Sequence, residues 1–279
     1  MLKIIVDSTV DLTKEYMDKH NIDQISLQVF IDNEPFRDIK EIQIETLFEA
    51  LEENKDVKTS LPVLSDMYDL FKKYAKEKTE FVFFTFSKKM SGTFNAATLI
   101  INELKEKYDT NMTAIDTQNG GMSSAMVVKR FIENINDEMT FDEKVAYAIS
   151  LTNKVKQIFL VNDLTQLKNG GRISTLQSLI GSLIHIKPIL HIEGGEIKVY
   201  KNIIGLKRAL NEIIRFTTSK VPNKNVQIGL SFVKNENILN DTVKLLNDAG
   251  YHNLVINRLA SVMSAHIGLD AVSINFFLE

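Results

Sequence analysis

The stretch FVFFTFSKKMSGTFNAA, Phe81–Ala97, sets an apolar run against a hydroxyl-rich turn and the opening of a helix. Phe81–Phe86 is short, aromatic and bounded by polar residues, which marks a buried strand. Beyond the turn the apolar residues take up a helical period. Strand, turn and helix make half of a βαβ unit, and the same order recurs twice in the first half of the chain. Leu2–Val6 runs into DSTVD, and Met112–Asp116 runs into DTQNGGMSS. Such repetition predicts a parallel sheet, in which ligands sit beyond the carboxyl ends of the strands. The turns after Val6, Phe86 and Asp116 are therefore where a site is expected.

The second half changes rhythm. A strand at Gln157–Val161 leads into NDLTQLKNGGRIS, where Gly170-Gly171 stops a short helix and Ser174 is placed to cap the next. Strands follow at Ile197–Tyr200, Val226–Leu230, Leu254–Arg258 and Val272–Leu278, separated by helices at Leu206–Thr217 and Ile238–Ala249. The EGGE segment before the first of these strands reads as a hairpin turn. The expected division is 1–165 for an amino-terminal α/β domain and 166–279 for a carboxyl-terminal one. In STLQSLIGSLIHIKPIL, residues Leu176, Leu179, Ile180, Leu183 and Ile184 fall at helical spacing on one face. Core packing accounts for such a stripe, and lining of an apolar tunnel is the alternative.

Composition removes several function classes. A chain of 279 residues, 44% hydrophobic, buries an ample core, and its net charge of -3 has no basic cluster to draw in nucleic acid. There is no cysteine, hence no disulfide, no thiolate nucleophile and no Cys-based metal site. HExxH, GxxxxGK[ST], GxGxxG and GxSxG are all absent, so no metal, nucleotide or other cofactor is expected. The opening MLKIIVDSTVDL has too short an apolar run for a signal segment or a membrane span. These features predict a soluble, cytoplasmic protein.

Ser91-Gly92-Thr93 brings two hydroxyls and successive backbone N–H groups to a helix amino terminus, which suits an anion; Ser91 serving only as a helix cap is the plainer reading. Thr59-Ser60, just before Pro62, has the same two readings, as does Asp7-Ser8-Thr9. Of five histidines, His20, His185, His191 and His252 lie in ordinary structural contexts. His266, in SVMSAHIGLDAVSINFF, sits between a small-residue helix and the last strand, where a side chain is able to face a cleft.

Taken in order, IIVDSTVDL, KTSLP, SKKMSGTFNAA, DLTQLKNGGRIS, IKPIL, GLKRAL and SAHIGLDAVSINF resemble the DegV family over essentially the whole chain. That resemblance implies a two-domain α/β fold, one domain with a parallel sheet and one with a mixed sheet, and a ligand tunnel between or within them. It also implies a FakB-type function, in which a bound long-chain fatty acid is presented to a separate ATP-dependent fatty acid kinase. The resulting acyl phosphate would be carried to an acyltransferase of phospholipid synthesis, with transient membrane contact. The residues so implied are Thr59, Ser60, Ser91, Gly92, Thr93 and His266 around the carboxylate, with Arg172 near the domain junction serving the kinase surface or the phosphorylated head group. Two departures stand out. The family's H-x-G-P-G-A-x-G is here His266-Ile-Gly268-Leu269-Asp270-Ala271-Val-Ser273, and its usual T-S-Q-P has Leu61 in third place.

Two rival readings remain at this stage. One is an acyl hydrolase or transferase built on a Ser91–His266 dyad, with Asp270 as orienter. The other is a binder of small polar metabolites on a fold akin to dihydroxyacetone kinases.

Overall fold

The structure is a computed structural model and describes residues 2–162, 164–172 and 186–278. Its first sheet has four parallel strands, ordered β2, β1, β6, β7, from Lys3–Asp7 (β1), Ile22–Ile25 (β2), Phe81–Thr85 (β6) and Met112–Asp116 (β7). Every residue of β1 and β6 is buried, and their alternation divides the core in two. Ile4, Val6, Val82 and Phe84 face helices Met122–Asn134 (α5) and Phe141–Lys154 (α6) through Ala125, Phe131 and Leu151. Ile5, Phe81 and Phe83 face helices Leu64–Lys76 (α3) and Thr93–Lys105 (α4) through Met67, Phe71, Ala97 and Leu104. Each buried Phe contributes about 1.5–3 kcal/mol, which is why the aromatic run 81–86 anchors the sheet.

The second sheet is mixed, with six strands in the order β10, β9, β8, β13, β11, β12. They are Val155–Val161 (β8), Ile186–Glu193 (β9), Glu196–Ile204 (β10), Ile228–Phe232 (β11), Leu254–Arg258 (β12) and Ala271–Phe277 (β13); β11 pairs with β12 in parallel, and the other neighbours among the described residues are antiparallel. Helices Leu206–Lys220 (α8) and Glu236–Asp248 (α9) cover one face. The other face receives α5, whose first seven residues, Met122–Val128, are all buried; a Cβ on Gly229 of β11 would lie 2.4 Å from Met122 Cγ, so the glycine lets helix and sheet meet. The strand expected at Gln157–Val161 is β8, and it lies inside this sheet between β9 and β13.

A third, antiparallel sheet joins Gln28–Ile31 (β3), Glu34–Arg37 (β4) and Val57–Ser60 (β5) in the order β4, β3, β5. Sequence reading missed it. It packs with helix Ile44–Glu52 (α2) and helix Ser261–Ile267 (α10) against the mixed sheet, and the core so formed includes Val29, Phe48, Phe159, Val262 and Met263. The EGGE turn is a hairpin as expected: Gly194 and Gly195 both take positive φ, 60° and 82°, the requirement of a type I′ turn. The apolar stripe from Leu176 to Ile184, the cap at Ser174 and His185 lie outside the described residues.

Candidate functional site

A cavity of about 270 Å³ opens where the carboxyl ends of β1 and β6 meet β5, α10 and the segment that carries Leu167 and Arg172. Asp7, at the end of β1, sets this corner. Its Oδ1 accepts from Thr9 N at 3.0 Å and Thr9 Oγ1 at 2.5 Å, and its Oδ2 accepts from Phe86 N at 2.7 Å. The carboxylate thereby ties the turn after β1 to the turn after β6. Burial pushes its pKa up to about 6 against the pull of those three donors.

The turn after β6 is held from two sides. Ser87 O accepts from the N–H groups of both Met90 and Ser91 at 3.0 Å, and Ser87 Oγ donates to Gly195 O of the hairpin at 2.6 Å. Ser91 Oγ accepts from Thr93 N at 3.2 Å and shares a 2.9 Å hydrogen bond with Thr93 Oγ1. Ser91 therefore does act at the helix start, and it also lines the cavity. Thr93, expected beside the ligand, is fully buried and does not line it; its hydroxyl is spent on Ser91.

Thr59 does not cap the helix after Pro62. The cap position of α3 is Val63, without a side-chain cap bond, while Thr59 pairs with Val29 in the third sheet and its Oγ1 lies 2.7 Å from His266 Nε2. Ser60 and Leu61 follow on the cavity wall. Leu61, where the family usually has Gln, packs on Gly92: a Cβ there would lie 3.3 Å from Leu61 Cδ2.

His266 sits in the last turn of α10, a helix whose small residues Ser261, Ser264 and Ala265 are buried and let it approach the mixed sheet. Burial, helped by the positive charge of Arg172, pushes its pKa down to about 4, so the ring is neutral at pH 7. Nδ1 is buried with no hydrogen-bond partner among the described residues. Against it lies Gly170, where a Cβ would come within 2.0 Å of Nδ1. Arg172 crosses the same corner, donating from Nε to Met90 O at 3.2 Å and from Nη1 to Gly170 O at 2.5 Å. Burial lowers its pKa as well.

Beyond this polar end the walls are apolar: Leu27, Phe86, Met90, Ile197, Met263 and Ile267. A smaller void of about 30 Å³ shares the last five of these and continues toward Phe159, Ile192 and Leu259, with Gln157 and Ser273 the polar residues on its wall. The arrangement is amphipathic along its length, with hydroxyls, an imidazole and a guanidinium at one end and hydrocarbon at the other.

Of the residues singled out in the sequence, Thr59, Ser60, Ser91, Gly92, Arg172 and His266 meet at this cavity. Leu61, marked in the sequence as a departure from the family's turn, lines the cavity, as does Thr9, for which cap and cleft both stood open; Gly170 was read only as a helix stop, and the Ser87–Gly195 bond joins partners 108 residues apart and left no local signal. A Ser91–His266 dyad is not assembled, because Ser91 Oγ is turned to Thr93 and His266 Nε2 to Thr59. Asp270 orients nothing there: its oxygens accept from Asn235 Nδ2 at 2.7 Å and Asn162 Nδ2 at 3.2 Å, joining β8 to the start of β13. Among the described residues no cluster of three or more His, Asp or Glu is arranged to hold a metal ion, and no helix is long and apolar enough to cross a membrane.

The family model described as "Uncharacterised protein, DegV family" matches residues 1–279. A DegV domain-containing protein of Staphylococcus aureus strain N315 is 28% identical over 277 residues, covering 97% of this chain and 96% of that one. A solved structure from Thermotoga maritima, described as revealing fatty acid binding function, is 26% identical and superposes with a TM-score of 0.81 over 100% of this chain and 99% of its own. A fatty acid binding DegV family protein from Streptococcus agalactiae has a TM-score of 0.91 over 100% and 99% of the two chains, and at 23% identity it is similar in fold.

Proposed function

The chain belongs to the DegV family along its whole length, and on that premise we propose that it binds a long-chain fatty acid, carboxylate first, in the cavity between Thr59, Ser91 and His266. The observation that carries this reading is the cavity's polarity: one polar end with converging hydroxyls, then walls of hydrocarbon. The magnitudes agree with such a ligand. About fifteen methylenes buried at about 0.8 kcal/mol each give on the order of 12 kcal/mol gross, whereas each charge-assisted hydrogen bond to the head group nets roughly 1.5–3 kcal/mol. The chain sets affinity, and the polar end sets where the carboxylate rests.

The neutral imidazole decides how Thr59 is used. With the ring proton on Nε2, His266 donates to Thr59 Oγ1, the buried Nδ1 keeps a lone pair and not a stranded N–H, and the Thr59 hydroxyl proton is free to turn toward the carboxylate. Ser91 Oγ supplies a second donor from the other wall, and Gly92 lets the head group approach the backbone. Arg172 holds the two turns together and leaves a positive charge close to the anion.

In this reading the protein is a carrier and a separate ATP-dependent kinase transfers the terminal phosphoryl group to the bound carboxylate, releasing ADP. The acyl phosphate then passes in the cytoplasm, with transient contact at the membrane, to an acyltransferase of phospholipid synthesis. Ser91 and Thr59 act as donors to carboxylate and then to acyl phosphate, with no nucleophile required.

Equilibrium binding of palmitate and of its methyl ester tests the assignment. Palmitate is expected to bind at least tenfold more tightly than the ester, and Thr59→Val with Ser91→Ala to remove that difference. Equal affinity for acid and ester in the unaltered protein would contradict it.

A further inference from the structure

A second concavity, of about 760 Å³, lies at the opposite end of the parallel sheet, beneath the amino ends of β1 and β6 and between α3 and the α5–α6 connection. Its volume falls in the range of small-molecule sites. Four lysines line it, Lys3, Lys19, Lys73 and Lys144, against one acid, Asp137. Lys3 is already satisfied, by Asp23 at 3.0 Å and by Asn21 O at 2.7 Å.

Lys144 is different. The residue as a whole is 8% exposed, and among the described residues its ammonium, on the wall of the concavity, has no carboxylate or carbonyl partner. It also stands in the first turn of α6, after the Thr140 cap, where the helix dipole disfavours a cation. With its stem packed and its ammonium open to the groove, the charge is held at the wall, where an anion would meet it without ordering a free side chain. The exposed Lys19 and Lys73 likewise lack ion-pair partners among the described residues and border the same space.

The walls are not polar throughout. Two ammonium groups lie near the Tyr74 ring, Lys73 Nζ at 5.0 Å and Lys3 Nζ at 5.5 Å from its centroid, and Ile132 and Ile135 also line the concavity. Several lysine point charges in one concavity match a phosphomonoester dianion better than a single carboxylate. We propose that this groove binds a small molecule carrying a phosphomonoester and a flat or apolar body, the phosphate at Lys144 and the body against Tyr74 and Ile135.

Calorimetric titration with AMP and with inorganic phosphate tests this. AMP should bind saturably and more tightly than phosphate, weaken as salt is raised, and lose at least tenfold in affinity in Lys144→Met, with palmitate binding unchanged. Should Lys144→Met fail to fold, the exposed pair Lys19→Gln with Lys73→Gln is expected to give the same loss. A lysophosphatidate titrated in place of AMP separates the two sources of a phosphomonoester, the tighter of the two naming the body as nucleoside or acyl. Absence of saturable binding by any of these probes, or AMP binding equal in the unaltered protein and the lysine variants, would overturn the assignment.

Discussion

At Gly170 a single added carbon would lie 2.0 Å from His266 Nδ1 and 2.7 Å from its Cε1, distances no side chain tolerates. The glycine is therefore a positioning residue for the imidazole. Gly170→Ala is expected to displace His266 from Thr59 and to weaken fatty acid binding about tenfold, roughly 1.4 kcal/mol, measured by titration with palmitate. Unchanged affinity would show that the ring's position is immaterial. A second residue-scale effect concerns Asp38, fully buried beside Ser8 and the amides of Ser261 and Val262, whose carboxylate oxygens have no hydrogen-bond partner in normal geometry among the described residues. Burial raises its pKa from 3.8 to about 7. Between those values the folded chain holds a proton that the unfolded chain releases, so this group's contribution to stability falls as pH rises from about 4 to 7. Asp38→Asn, which never ionises, is expected to gain stability relative to the unaltered protein over that window, by of order 2–4 kcal/mol at pH 8 compared with pH 4. Denaturant titrations at the two pH values check it, and a constant difference between the proteins would contradict it.

Among the elements, the hairpin of β9 and β10 reaches from its own sheet to the turn after β6 and shapes the site. Its turn carbonyl at Gly195 accepts from Ser87 Oγ across 108 residues of sequence, and a Cβ at Gly195 would lie 2.6 Å from that oxygen. Ile197, just beyond the turn, lines the cavity. Gly195→Ala is expected to part the hairpin from the SKKMSGT turn, raising amide exchange at Met90 and Ser91 while leaving β6 protected; hydrogen exchange resolved by residue reads this, and unaltered exchange at the turn would refute it. The same contrast explains what the sequence could and could not reveal. The strands β1, β6 and β7 and the hydroxyl turns after them are local patterns, dense in buried apolar residues, and were readable. VKTS is short and polar at alternate positions, and with Pro62 close behind it looks like a helix entry; only pairing with β3 makes it a strand. Thr59 and His266 are 207 residues apart, so their 2.7 Å contact leaves no spacing to read. Ile186–Glu193 was obscured by the helical stripe before it, and its strand character appears only in its pairing with β8 and β10.

For the whole molecule, three sheets meet at the cavity and each supplies one part of it. The parallel sheet presents the turns of Thr9 and Ser91, the small antiparallel sheet presents Thr59, and the mixed sheet with α10 presents Ile197 and His266. A ligand there touches all three, so it binds only the folded chain and stabilises it by mass action. Two of the departures fit this scale as well: Asp270 knits β8 and β13 through Asn162 and Asn235, and Ser273 accepts from Asn275 within the mixed sheet while bordering the smaller void. The central claim is that one long-chain fatty acid, with its carboxylate free, occupies this cavity. Native mass spectrometry of the purified protein, followed by mass analysis of the lipid released on denaturation, tests it most directly. The account predicts one free fatty acid per chain, retained by the unaltered protein and diminished in Thr59→Val with Ser91→Ala. A protein that carries no lipid even after exposure to fatty acids, or one that hydrolyses acyl esters in a Ser91-dependent manner, would contradict it.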